Sequence, residues 1–336
     1  MTKCLNITNG DGAAGLLRAS TVAGDILAWH DLMFEGPFPA GLDLEATSKL
    51  RAAYFAKAYP KDGDAARQFQ DRDRGLAAGP QYDRIVLWFE HDLLDQLQLL
   101  QLLDWFADTD LGDTALDLVC IGAYPGIDPF RGLGQLTPEQ VATLLDDAAP
   151  VSQAQLRLGK AGWVAFRSPD PRAIETYLRE DLGSLPFLHS ALSRHLEEFP
   201  SVRNGLGRTD RQLLELISDG NEEPGALFAD NMARETAMFI GDWCTFRHVG
   251  ALCNGENPLL QTNHGGPFNY PPCSDLPMAE FRDQRLSLTD TGQRVLANDA
   301  DATTLNAFNY WLGGVHLQSG QPSWRWNAVT ETLQTS

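Results

Sequence analysis

Ile85-Val86-Leu87-Trp88-Phe89-Glu90-His91-Asp92-Leu93-Leu94-Asp95-Gln96 is the stretch on which the fold turns. Ile85 to Phe89 are apolar without interruption, the pattern of a strand covered on both faces. The chain then passes through Glu90-His91-Asp92 into a helix. Its Leu93, Leu94, Leu97, Leu100, Leu103 and Trp105 form a wide apolar stripe. Glu90, Asp92 and Asp95 suit the positive end of that helix dipole, and capping alone accounts for part of them. Three acids and a histidine at one strand end exceed what a cap requires, so this tip is read as one wall of a pocket.

Toward the N-terminus the same pattern repeats. Cys4–Thr8 reads as a strand, Asn9–Gly12 as a turn and Ala13–Ala19 as the start of a helix. Asp25–Trp29 is a further strand, ending at His30-Asp31 and followed by Phe34-Glu35-Gly36-Pro37. Gly-Pro there continues neither helix nor strand. Ser48–Tyr59 reads as an amphipathic helix, with Leu50, Tyr54 and Phe55 on one side and Lys49, Arg51 and Lys57 on the other. Lys61–Arg74 is charge-dense and reads as a solvated helix or loop. Leu116–Gly122 is another strand, and Thr137-Pro138-Glu139-Gln140 has the form of a capping box with proline at the first helical position. Strands alternating with helices predict a Rossmann-like α/β domain with a mainly parallel sheet over residues 1–150. Ligands of such sheets bind beyond the carboxyl ends of the strands, and chain direction brings the tips there.

Residues 151–202 read as a helical connector, with helices over Arg172–Leu182 and Pro186–Phe199. His189, Arg194 and His195 in it read as surface or packing residues. A new pattern begins after Asn204-Gly205-Leu206-Gly207. Thr209 is placed to cap a helix with Leu213, Leu214, Leu216 and Ile217 on its apolar side. Helices over Pro224–Phe228 and Met238–Leu252 follow, then an alternating strand over Arg285–Thr289 and a helix over Thr291–Leu296. That order predicts a mostly helical, winged-helix-like domain over residues 203–336, with Cys253–Pro277 as an extended loop. Trp311-Leu312-Gly313-Gly314 and Trp324-Arg325-Trp326 read as a closing segment that packs back.

The net charge is −19 over 336 residues. Residues 1–150 hold 11 basic against 23 acidic side chains, and residues 151–336 hold 15 against 22. Both halves therefore repel nucleic acid and anionic membranes at long range. A DNA face in the C-terminal domain would have to rest on Arg203, Arg208, Arg211, Arg234 and Arg247. Cys4, Cys120, Cys244, Cys253 and Cys273 include no CxxC pair. No apolar run follows Met1 and none reaches membrane-spanning length. The expectation is a cytoplasmic protein with reduced thiols.

Together the tips hold Asp11, His30, Asp31, Glu35, Glu90, His91 and Asp92, with Asn9 as a neutral partner and Arg131 as the nearest cation. Crowded carboxylates raise one another's pKa unless a cation sits among them. A divalent metal, an amine-bearing substrate or Arg131 would serve, and Mg, Mn or Zn suits mixed oxygen and imidazole ligands. Asp11, Asp31, Glu90, His91 and Asp92 are the candidate catalytic residues, with His91 or a carboxylate as general base. Asn9, Gly10, Gly12, Ala13, His30, Glu35 and Arg131 are the candidate ligand contacts, the backbone N–H groups at Gly12–Ala14 receiving an anionic group. Gly10-x-Gly12-x-x-Gly15, followed by Asp31, also matches the dinucleotide fingerprint, although the same glycines serve a plain tight turn. No Walker lysine, GxSxG elbow or HExxH pair is present. The reading is an enzyme acting on a small phosphorylated or nucleotide-like molecule, by metal-assisted hydrolysis or group transfer. A non-catalytic ligand-sensing regulator, whose C-terminal domain binds protein or DNA, is the alternative. A dinucleotide-binding enzyme is the third.

Ile7-Thr8-Asn9-Gly10-Asp11-Gly12-Ala13-Ala14, Trp29-His30-Asp31 with Glu35-Gly36-Pro37, and Leu87-Trp88-Phe89-Glu90-His91-Asp92 with Asp95-Gln96 resemble a bacterial domain family of unknown function. The resemblance extends along nearly the whole chain, to Leu288-Thr289-x-x-Gly292 and Trp311-x-Gly313-Gly314. It implies no particular activity. In that family's pattern the position of Gly12 is usually serine, which removes the glycine that lets backbone approach a pyrophosphate.

Overall fold

The computed structural model describes residues 2–60, 63–270 and 276–335. Among these, β1 (Cys4–Thr8), β2 (Asp25–Ala28), β3 (Arg84–Glu90), β4 (Ala115–Ile121) and β5 (Ala149–Pro150) form one sheet in the order β2-β1-β3-β4-β5. The first four strands are parallel, and the two-residue β5 is antiparallel to β4. The uninterrupted apolar run of β3 follows from its central place. Ile85, Leu87 and Phe89 enter the larger core on one face, and Val86 and Trp88 enter a second core on the other. The connecting helices are α1 (Asp11–Ala19), α2 (Leu44–Ala58), α3 (Ala65–Ala77), α4 (Leu93–Ala107) and α5 (Pro138–Thr143). Ala13, Leu17 and Val141 place α1 and α5 over the second core. Residues of α2, α3 and α4 fill the first. The capping box at Thr137 forms as expected, its hydroxyl accepting from Gln140 N.

The helix α2 differs from its expected amphipathic form. Arg51, assigned by spacing to the wet face, is fully buried. Leu50 lines a cleft described below. The helix is packed on two sides, so a single polar stripe does not describe it. α4 is likewise covered on both sides, by the sheet and by α6 (Gln153–Phe166) and α8 (Leu188–Leu196), with the short α7 (Arg172–Tyr177) between those two in sequence. Its buried amides are used: Gln98 Nε2 donates to the Asp31 carbonyl at 2.9 Å, and Gln101 Oε1 accepts from Trp29 Nε1 at 3.0 Å.

The C-terminal elements are α9 (Arg208–Ser218), α10 (Pro224–Ala233), α11 (Asp242–Cys253), β6 (Leu260–Thr262), α12 (Met278–Asp283), β7 (Leu286–Leu288), α13 (Asp290–Leu296) and α14 (Ala302–Leu305). They surround a core of their own that includes Leu213, Leu227, Phe246, Leu260 and Val295. Gly207, not Thr209, is the cap of α9; the Thr209 hydroxyl instead donates to Glu198 at 2.6 Å. β7 forms where a strand was expected, and β6, which pairs antiparallel with it, lies inside the stretch expected to be loop. The remainder of that expectation, at 271–275 with Cys273, lies outside the described residues. The hairpins β8 (Asn309–Leu312) with β9 (Val315–Gln318) and β10 (Trp324–Asn327) with β11 (Thr332–Thr335) pack back, as expected of the closing segment. Leu312, Val315, Leu317, Trp326 and Leu333 join the core of the sheet domain. No helix among the described residues is long and apolar enough to cross a membrane.

Candidate functional site

The order β2-β1-β3-β4 means that the chain leaves β1 toward one edge of the sheet and leaves β3 toward the other. Ligands of such sheets bind at the carboxyl ends of the strands, at a switch point of this kind. Asn9 follows β1 there, and Glu90 ends β3. Glu90, Asp92 and Asp95 converge at this point, with ligand-capable oxygens within 4.8 Å of one another. All three are buried.

Local hydrogen bonds fix each carboxylate. Asp92 is the cap of α4, its Oδ1 accepting from Asp95 N at 2.8 Å. Asp95 accepts from Glu90 N at 2.9 Å and from Asn9 Nδ2 at 2.6 Å. Glu90 Oε1 accepts from Leu133 N at 2.6 Å and from Asn9 Nδ2 at 3.5 Å. Leu133 begins a single 3-10 turn, Leu133–Gln135, and Gly132 before it brings the backbone over Glu90. Gly132 has φ +138°, and a Cβ there would stand 2.0 Å from Glu90 Oε2. Only glycine fits that crossing.

No arginine or lysine forms an ion pair with these acids among the described residues. Burial, then the Asp95 charge, pushes Glu90 up to about 8. Burial pushes Asp95 up to about 7, against the hydrogen bonds from Asn9 and Glu90 N. Burial and both neighbouring carboxylates raise Asp92 well above the ordinary range. The trio therefore holds protons at neutral pH and offers oxygen ligands to a hard cation that displaces them.

The other expected site residues are not all gathered here. Asn9 is in the cluster, and Gly10 is the N-cap of α1 at φ +142°, a conformation that favours glycine. Gly12 and Ala13 lie in the first turn of α1, where helix N–H groups lack intrahelical partners. Asp11 and His30 meet on the outer rim, His30 Nε2 lying 3.0 Å from Asp11 Oδ2, with Asp11 largely exposed. His91 turns from the carboxylates: its ring lies between Phe130 and Phe187, at centroid distances of 6.0 and 5.9 Å. Its Nδ1 is buried without a partner, and burial lowers its pKa. This departs from its expected part as general base: Nδ1 is buried, the ring also bonds the Thr236 backbone, and neither nitrogen belongs to the carboxylate cluster. Arg131 is exposed and makes no ion pair with the trio. The trio thus lacks the expected arginine counter-ion.

Asp31 also departs from expectation. Its side chain is wholly buried beneath Arg51, which donates to it at 2.6 and 2.9 Å, with Arg72 3.9 Å away. It is a structural ion pair, closed off from solvent. Gly15 is exposed and a Cβ there meets nothing within 4 Å. The third fingerprint glycine thus has no helix–sheet packing role, and Asp31 is not free to hold a ribose. Asp95 and Gln96 carried the missing signal. Gln96 Nε2 donates to the Glu90 carbonyl at 2.5 Å, and helical spacing from Asp92 already puts Asp95 on the same end of α4. Gly132 and Leu133 gave none.

Glu35 points elsewhere, into a cleft of about 990 Å³ bounded by the Phe34–Pro37 loop, α2, α9, α11 and β8. Arg247 donates to both of its oxygens at 3.0 Å, and the Tyr59 hydroxyl donates to Oε1. Tyr59 in turn lies 3.2 Å from Cys244 Sγ. Burial pushes the thiols of Cys120 and Cys253 up to about 12 and raises Cys4 and Cys244 as well, so these thiols are protonated and inert.

No protein-family model matches the chain, and no curated protein matches it.

Proposed function

We propose that this protein is an enzyme acting on a small phosphorylated or nucleotide-like molecule at the carboxyl edge of a Rossmann-like sheet. A divalent cation such as Mg or Mn, held by Glu90, Asp92 and Asp95, would assist hydrolysis or group transfer. The observation that carries this reading is the buried, uncompensated carboxylate trio at the switch point of the sheet. Such a cluster costs stability unless a cation neutralises it, and functional sites are where such costs are retained. The first turn of α1 supports the anionic part of the substrate, since its N–H groups and dipole favour a phosphate. Asn9 bridges the two: its amide nitrogen holds Asp95 and Glu90 while its backbone leads into that turn. A metal so placed would polarise a phosphoryl oxygen or activate a water.

The test is turnover of a nucleotide and phosphate-ester panel with Mg or Mn. Turnover that disappears in Asp92→Ala, with the fold intact by circular dichroism, supports the proposal. A panel with no turnover under any metal argues for the second reading, a ligand-sensing regulator. That reading draws on α9–α11 and the β6–β7 pair, whose order supports a winged-helix-like unit. Protein contact is favoured over DNA there. Arg208 is paired with Glu197 and Glu235, Arg211 and Arg234 with Glu215, and Arg247 with Glu35, which leaves Arg203 as the one of the five without an ion pair among the described residues. Salt-sensitive DNA retention would overturn that preference.

A further inference from the structure

The cleft of about 990 Å³ holds a second set of chemical groups, unrelated to the carboxylate trio. His248 of α11 lies on its wall with Nδ1 2.6 Å from Asp210 Oδ1. Burial alone would lower the His248 pKa; the Asp210 charge and hydrogen bond, with Glu198 and Glu35 beyond, reverse this and raise it to about 9. The ring is thus an imidazolium at neutral pH. With Nδ1–H committed to Asp210, Nε2–H is left as a donor, and the side chain keeps 33% of its surface open. Lys57 of α2 lines the same cleft and forms no ion pair among the described residues.

The acids of the cleft, by contrast, are committed. Glu35 is held by Arg247, Asp210 by His248, and Glu198 by Arg194 at 2.5 Å and by Thr209. Each of these acids is thus paired with a cation, and Lys57 is the cleft's unpaired charge among the described residues. The walls add aromatic surface from Tyr54, Phe239, Tyr310 and Trp311. Tyr310 is 37% exposed and lines the cleft. Trp311 is held by stacking on His316, with centroids 4.4 Å apart and planes within 4°. A concave, largely apolar site with a few fixed polar groups is the form of a small-molecule pocket.

We propose that this cleft binds a planar aromatic carboxylate, its ring against Tyr310 and Trp311 and its carboxylate on His248 Nε2 and Lys57. A single negative charge matches these two donors. A phosphate dianion would sit closer to balance with more cations than the cleft leaves free, beside Glu35, Glu198 and Asp210. This site stands whether or not the carboxylate trio supports catalysis.

The test is isothermal titration of the full chain, in EDTA, with 2-naphthoate, the neutral 2-naphthamide, AMP and inorganic phosphate. The expected result is that 2-naphthoate binds at least tenfold tighter than the amide, and that His248→Gln and Lys57→Ala each weaken it tenfold or more. Lys57 is exposed, so its variant keeps the test decisive if His248→Gln is poorly folded. Equal binding of acid and amide, unchanged affinity in Lys57→Ala, or no binding of 2-naphthoate would overturn the proposal. AMP binding tighter than 2-naphthoate would overturn the carboxylate assignment in favour of a phosphate.

Discussion

Glu90→Gln is expected to stabilise the cation-free protein while removing the site's affinity for metal. Glu90 is almost wholly buried and is pushed up to about 8, against 4.5 when unfolded. In the window between those values the native state holds a proton that the unfolded state releases. Stability therefore declines as pH rises from 4.5 to about 8, at about 1.4 kcal/mol per pH step of one. At pH 7 the accumulated cost is about 3 kcal/mol. Glutamine keeps the carbonyl oxygen that accepts from Leu133 N, and its NH2 group can donate to Asp92 or Asp95. It carries no titrating proton, so the cost disappears. The assay is scanning calorimetry in EDTA at pH 4.5, 6, 7 and 8. The variant should match the wild type at the lowest pH and exceed it by roughly 5 °C at pH 7. A wild-type melting temperature that is flat across this range, with a variant no more stable at pH 7, would show that Glu90 carries no such cost.

Other consequences follow from the same geometry. Gly132→Ala forces a side chain to φ +138° and to 2.0 Å from Glu90 Oε2. It should cost about 2 kcal/mol or more in chemical denaturation and abolish metal binding with the trio intact. Arg51→Met removes the hydrogen bonds to the buried Asp31, leaving it only Arg72 at 3.9 Å, and should cost about 3 kcal/mol. Adding Asp31→Leu should recover much of that loss, and a double variant as unstable as the single would show that Arg51 acts otherwise. Gly15→Ala, in open space on an exposed helix face, should stabilise by about 0.5–1 kcal/mol in urea. Destabilisation there would show that the third fingerprint glycine is packed after all.

The sheet was legible because its signal is local. Five successive apolar residues from Ile85 announce a strand buried on both faces, and the tips of β1, β2 and β3 follow from chain direction. The trio was half legible: Glu90 and Asp92 stood out, whereas Asp95 looked like a dipole residue, a role it fills only in part. What defeated sequence reading was pairing at long range. Arg51 neutralises Asp31 from a helix that spacing had turned toward solvent. Glu35 finds Arg247 from another part of the chain, 212 residues on, and so faces the cleft instead of the trio. His91 sits between two rings, Phe130 and Phe187, that nothing nearby in sequence foretells. Burial and partner choice decide whether a charged residue is structural or available, and both depend on contacts that no local period encodes.

Glu90, Asp92 and Asp95 form an oxygen-lined site that holds protons when no cation is bound. The decisive measurement is titration of the EDTA-treated protein with Mn at pH 7, in two buffers of different ionisation enthalpy. One binding event is expected, releasing about one proton or more per cation and vanishing in Asp92→Asn. Absence of binding at millimolar Mn, or binding without proton release that survives in Asp92→Asn, would contradict it.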